Sequence, residues 1–122
     1  MKLVQEEAES EPLRRYLRRY PSDERLTSAL ARVEVVRAVL SGGAAAVAKA
    51  RRQVGRLHQV GLDTTILDGA ASLAAGRALR SLDAIHLASA QLVGADLRAV
   101  VTYDLRMAAA AALIGMPVDA PA

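Results

Sequence analysis

Three carboxylates stand where an acidic side chain needs a reason. The run Leu79-Arg80-Ser81-Leu82-Asp83-Ala84-Ile85-His86-Leu87-Ala88-Ser89-Ala90 is mostly apolar, yet carries Asp83 and His86 one helical turn apart. A carboxylate at the edge of a core is costly unless a hydrogen bond, an opposite charge or a metal ion compensates it. Glu34 lies in the first turn of a helix that follows a short buried strand, and Asp104 closes the strand-like Val100-Val101-Thr102-Tyr103. Ligands of parallel α/β sheets collect beyond the carboxyl ends of the strands, so Glu34 and Asp104 are consistent with one crevice. Clustered carboxylates repel, and a hard cation such as Mg²⁺ or Mn²⁺ relieves that repulsion while keeping several waters. An ion held this way can orient a phosphodiester, help generate hydroxide and stabilise the leaving oxygen.

Each acid also has a purely structural explanation. The exposed N–H groups of a first helical turn favour an acid there, which would suffice for Glu34 and Asp83. Asp104 could simply cap the helix after it. His86 could hydrogen-bond Asp83, although the core margin suits it better, and His58 reads as an isolated loop residue. Other chemistries have less to stand on. There is no cysteine and no Gly-x-Ser-x-Gly elbow for a nucleophile. Ser41-Gly42-Gly43 lacks the lysine and preceding strand of a phosphate-binding loop, and no Asp-x-Asp pair suggests a phosphatase.

The positioning elements alternate between helix and strand. Residues 2–20 read as helix, broken near Ser10-Glu11-Pro12, where Ser10 can cap the second piece. Leu13, Tyr16, Leu17 and Tyr20 share one face of that piece, and Arg14, Arg15, Arg18 and Arg19 the other. Residues 26–30 read as a buried strand, followed by a helix over 31–41 with Val33, Val36, Ala38 and Leu40 inward. Gly42-Gly43 stops it, and further helices are predicted over 44–57 and from Asp63-Thr64-Thr65 through Ala75. A weak strand covers 59–62, a clear one 99–103, and a stub 116–118, with the Asp83 helix and an Ala-rich helix between. This alternation predicts an α/β layer fold with a mostly parallel sheet, in one domain over residues 1–122.

Composition narrows the class. With 52% hydrophobic but only 2% aromatic residues, the core must be built from Leu, Val, Ile and Ala, with tight alanine-mediated helix packing. A net charge of +3 attracts nucleic acid or an acidic partner only weakly. Lys2 and Lys49 are the only lysines, an arginine bias that a GC-rich genome would explain. The longest apolar run, Met107 to Met116, is about half of the ~20 residues a membrane span needs. No secretory signal opens the chain, and a cytoplasmic location is expected.

Three segments carry a resemblance. Thr27-Ser28-Ala29-Leu30-Ala31-Arg32-Val33-Glu34-Val35-Val36-Arg37-Ala38, then Leu79 to Ala88, then Val101-Thr102-Tyr103-Asp104-Leu105-Arg106-Met107 resemble, in order, the signatures of PIN-domain ribonuclease toxins of the VapC type. The resemblance implies a PIN-like three-layer α/β domain and a Mg²⁺-dependent endoribonuclease of a type II toxin–antitoxin pair. It implies a homodimer inhibited by a small cognate antitoxin, with RNA as substrate. Glu34, Asp83 and Asp104 match three of the family's four acids and would bind the metal and serve catalysis. Thr102 matches a polar position beside the last acid, where it could hold a carboxylate or water. Arg80 and Arg106 flank the site and could touch phosphate or form surface salt bridges.

One departure accompanies it. The family begins with an apolar strand ending in Asp, whereas this chain starts at Met1-Lys2-Leu3-Val4, inside the helix that follows. The first central strand and first acid are therefore expected to be missing, leaving a slot in the sheet and weakened metal binding. A start codon assigned too far downstream would account for it. A truncated copy could alternatively act as an antitoxin-binding module without cutting RNA.

Overall fold

A computed structural model describes residues 10–73 and 79–122. The expected helix over residues 2–9 lies outside the described residues, and the helix predicted through Ala75 ends earlier, at Ala71, with Ser72 as its C-cap. The chain divides by its contacts into two compact units: the described residues of Met1–Gln59 with Pro121–Ala122, and Val60–Ala120.

In the first unit, α1 (Ser10–Arg19) seats Leu13 in a buried position. Tyr16 and Tyr20, one turn apart, meet edge to face with ring centroids 5.3 Å apart. Arg18 donates to Glu11 at 3.1 Å, so part of the arginine face is spent on its own helix. β1 (Leu26–Ser28) ends in Ser28, whose Oγ accepts from the Leu30 N–H at 3.2 Å and turns the chain into α2 (Ala31–Ala38). The inward face of α2 differs from the sequence expectation. Ala31, Val35 and the following Val39 are buried, whereas Val33 is 56% and Leu40 57% exposed. The i, i+4 spacing of the buried set faces α3 (Ala44–Gly55), where Ala50 and Val54 complete the cluster.

A 3₁₀ turn at Leu40–Gly42 joins these helices. A Cβ on Gly42 would stand 2.9 Å from the Ala46 Cβ, and Gly43 takes φ 88°, so both glycines are required by the corner. β2 (His58–Val60) pairs with β1. His58 thus opens a strand rather than standing in a loop, its N–H donating to the Arg25 carbonyl at 2.8 Å.

In the second unit, Asp63 caps α4 (Thr64–Ala71) by accepting from the Ile66 N–H at 2.9 Å. Ile66 and Ala70 of α4 pack on Ala84 and Ala88 of α5 (Ser81–Gln91). The next face of α5 presents Leu87 to Ala110 and Ala111 of α6 (Leu105–Leu113). Small residues at these contacts let the helices approach closely, as the aromatic-poor composition requires.

The predicted strand at 99–103 shrinks to β3 (Val100–Val101). Its partner β4 (Val118–Asp119) offers only two residues in parallel register, Val100 against Val118 and Val101 against Asp119. Val100 N–H donates to Pro117 at 2.8 Å and Thr102 N–H to Asp119 at 3.1 Å. α6 ends in a Schellman turn. Gly115, at φ 84°, lets Met116 N–H reach the Ala111 carbonyl at 2.9 Å.

The architecture is α/β, and the described strands form two two-stranded sheets, β1–β2 and β3–β4. Among the described residues, no helix is long and apolar enough to cross a membrane.

Candidate active site

Asp83 sits in the first turn of α5, on the side that also buries Ala84, Leu87 and Ala88. Its side chain is only 12% exposed. The opposite charge that compensates it is Arg80, the residue before the helix, whose Nε donates to Asp83 Oδ2 at 3.2 Å. An i, i+3 pair at a helix start is within easy reach. The Arg80 side chain is 66% exposed.

Asp104 is fixed in another way. As the N-cap of α6, it accepts at Oδ1 from the Arg106 N–H at 2.8 Å and the Met107 N–H at 3.2 Å. Its own N–H donates to Thr102 Oγ1 at 3.1 Å. Thr102 thus holds the backbone of Asp104, where the sequence suggested a contact with carboxylate or water. The two backbone donors, first Met107 and then Arg106, draw the Asp104 carboxyl below its ordinary value of 3.8. Desolvation opposes them, and the Arg80 and Arg106 guanidiniums add smaller contributions in the lowering direction.

Arg80 joins the two acids. Its Nη2 lies 3.7 Å from Asp104 Oδ2 while its Nε holds Asp83 Oδ2. Two carboxylates 21 positions apart in sequence therefore converge on one cationic group. Arg106 stands exposed beside Asp104. His86 is half-buried one turn beyond Asp83.

Glu34 belongs to the other unit, half-buried in the first turn of α2, with its N–H on the Leu30 carbonyl at 3.0 Å. Among the described residues, no group of three or more His, Cys, Asp or Glu side chains is placed to hold one metal ion. A recess lined by Gly69, Ser72, Leu73, Gln91, Leu113 and Ile114 contains no titratable side chain, so the acids lie elsewhere.

Sequence reasoning missed two buried hydroxyls. Ser28 anchors the entry to α2, and Ser89 returns its Oγ to the Ile85 carbonyl at 2.9 Å. A serine within an apolar helical run signals such back-bonding. The Ser28 turn is signalled only by its place between strand and helix.

The second unit thus presents two anchored carboxylates facing a shared cation, at a helix start and a strand-to-helix junction. The PIN domain family model matches residues 1–113. Ribonuclease VapC46 of Mycobacterium tuberculosis is 49% identical over 122 residues, covering 99% of this chain and 91% of that protein. Ribonuclease VapC35 of the same species is 39% identical, covering 99% of this chain and 90% of its own length. Ribonuclease VapC47 is 34% identical over 98% of this chain and 90% of that protein. No solved structure matches the chain. The chain belongs to the PIN-domain family and, within it, to the VapC type.

Proposed function

We propose that this protein is the ribonuclease toxin of a type II toxin–antitoxin pair, cutting RNA phosphodiester bonds with a divalent cation. The observation that carries the reading is the convergence of Asp83 and Asp104 on one guanidinium. A place already built to face one cation with two carboxylates has an all-oxygen donor set suited to a hard metal ion. Three relatives named as ribonucleases, each aligned over nearly the whole chain, support RNA as the substrate. The family match spans both compact units, which supports treating residues 1–122 as one domain.

Asp83 and Asp104 would hold Mg²⁺ (or Mn²⁺) between them. When bound, such an ion activates water and stabilises the leaving oxygen. The protein's own part is positional. α5 and α6 pack through Leu87, Ala110 and Ala111, which fixes the two acid-bearing helix starts against each other. The Thr102 hydroxyl and the first N–H groups of α6 set the Asp104 carboxylate, leaving its Oδ2 turned toward Asp83's partner. Arg80 and Arg106 would meet the phosphate of the RNA. A small antitoxin as inhibitor, a homodimer and a cytoplasmic setting complete the proposal.

The test is cleavage of a structured RNA by the purified chain with Mg²⁺, with EDTA, and after Asp83→Asn. Loss of a metal ligand should slow cutting roughly a hundredfold or more. Equal cleavage by wild type and Asp83→Asn would refute the assignment. A wild-type chain that binds an antitoxin but never cuts would instead establish the interaction-module reading.

A further inference from the structure

We propose that Arg80 is an internal counter-ion that a divalent cation must displace from Asp83 and Asp104. The inference rests on the metal reading of the site and concerns what occupies the acids before the metal arrives.

The geometry restricts where a cation could bind. Asp104 Oδ1 is committed to two backbone N–H groups, so Oδ2 is the oxygen it has to offer. That oxygen, together with Asp83 Oδ2, is what the guanidinium engages, at 3.7 Å and 3.2 Å. A metal ion bridging the two acids and Arg80 would therefore compete for Asp104 Oδ2 and for the space beside Asp83 Oδ2. Sharing is disfavoured, because like charges a few ångströms apart repel.

Neither side is trapped by the exchange. Asp83 is nearly buried and needs a positive partner at all times, which the ion would supply once Arg80 leaves. Arg80 is 66% exposed, precedes α5, and makes no side-chain cap bond to it, so its departure opens no cavity and breaks no helix. The displaced guanidinium would remain at the rim, free to meet a phosphate. Arg80 is thus a positioning residue without metal and a substrate contact with it.

A reversal of the ordinary mutational expectation follows. Removing a residue that touches both acids should strengthen metal binding, because the competitor is gone. With Mn²⁺ as probe and calorimetry as readout, Arg80→Gln should bind about two- to fivefold more tightly than wild type, the scale of exposed charge pairs. Asp83→Asn should bind far more weakly than either. Thermal melts add a second measure: Arg80→Gln should be less stable than wild type in EDTA and gain more from added Mn²⁺.

Nitrogen-15 NMR of the unmodified protein tests the same exchange without a mutation. The Arg80 Nε–H resonance should move and exchange faster with water as Mg²⁺ saturates the site. Equal or weaker Mn²⁺ binding by Arg80→Gln, or an Arg80 resonance indifferent to Mg²⁺, overturns the counter-ion role. If wild type still binds Mn²⁺ and Asp83→Asn does not, the metal site survives that result. Absence of Mn²⁺ binding in wild type removes both.

Discussion

The starts of α5 and α6 present one carboxylate each, and the two are held by different physics. Asp83 at α5 is nearly buried and relies on a side chain that can swing away. Asp104 at α6 is 41% exposed and relies on backbone N–H groups that cannot leave without unwinding the helix. The buried acid is thus exchangeable in its partner, and the exposed one is permanently engaged on one side. Burial alone would have ranked them the other way.

Disturbing the platform beneath both acids should give the largest effect. Leu87 is 1% exposed and joins α5 to Ala110 and Ala111 of α6. Leu87→Ala should lower stability by about 2–4 kcal/mol in urea denaturation and weaken both acid positions together. Asp83→Asn should instead separate function from fold. Cleavage should fall about a hundredfold, equivalent to about 2.7 kcal/mol, while the metal-free melting temperature barely moves.

The α6 arm predicts the opposite coupling. Asp104→Ala removes the cap and should cost about 1 kcal/mol, whereas Asp104→Asn keeps an acceptor and should cost only a few tenths. Both should lose activity, so comparing their melts isolates the cap. Acid sharpens this further. The folded Asp104 carboxyl titrates below its ordinary value of 3.8, so the unfolded chain takes up that proton first as pH falls. Its contribution is present in full above that value and is lost as pH drops through the lower folded value. Urea melts between about pH 5 and pH 3 should show this acid loss in wild type and a flatter profile in Asp104→Asn. The smallest effect belongs to Leu105, at 85% exposure, where Leu105→Ser should stay within about 0.5 kcal/mol.

Much of this arrangement was legible in the residues, and the exceptions have physical causes. The α5 helix and the Asp63 cap of α4 could be read because apolar spacing and cap chemistry are local. The inward face of α2 was misplaced by following Val33 and Leu40, since choosing between overlapping apolar stripes requires knowing what faces them. Strand propensity located β3 but not its length, which the two-residue β4 sets through pairing from well downstream. At the site, strand-end logic singled out Asp104, and the structure shows it as a cap whose second oxygen faces Asp83's partner. The Arg80 bridge was not legible as a bridge. The i, i+3 half of it is local, but the contact with Asp104 depends on how α5 and α6 pack.

The divided duty of Asp104 carries a consequence for redesign. One carboxylate oxygen fastens the helix and the other is the only reach left toward a cation, so adjusting that reach also loosens the fastening. A glutamate there would trade a firm one-handed grip for a longer arm on an unpinned shoulder. Attempts to retune ion preference would therefore do better to leave this position alone and work on the bridging arginine opposite.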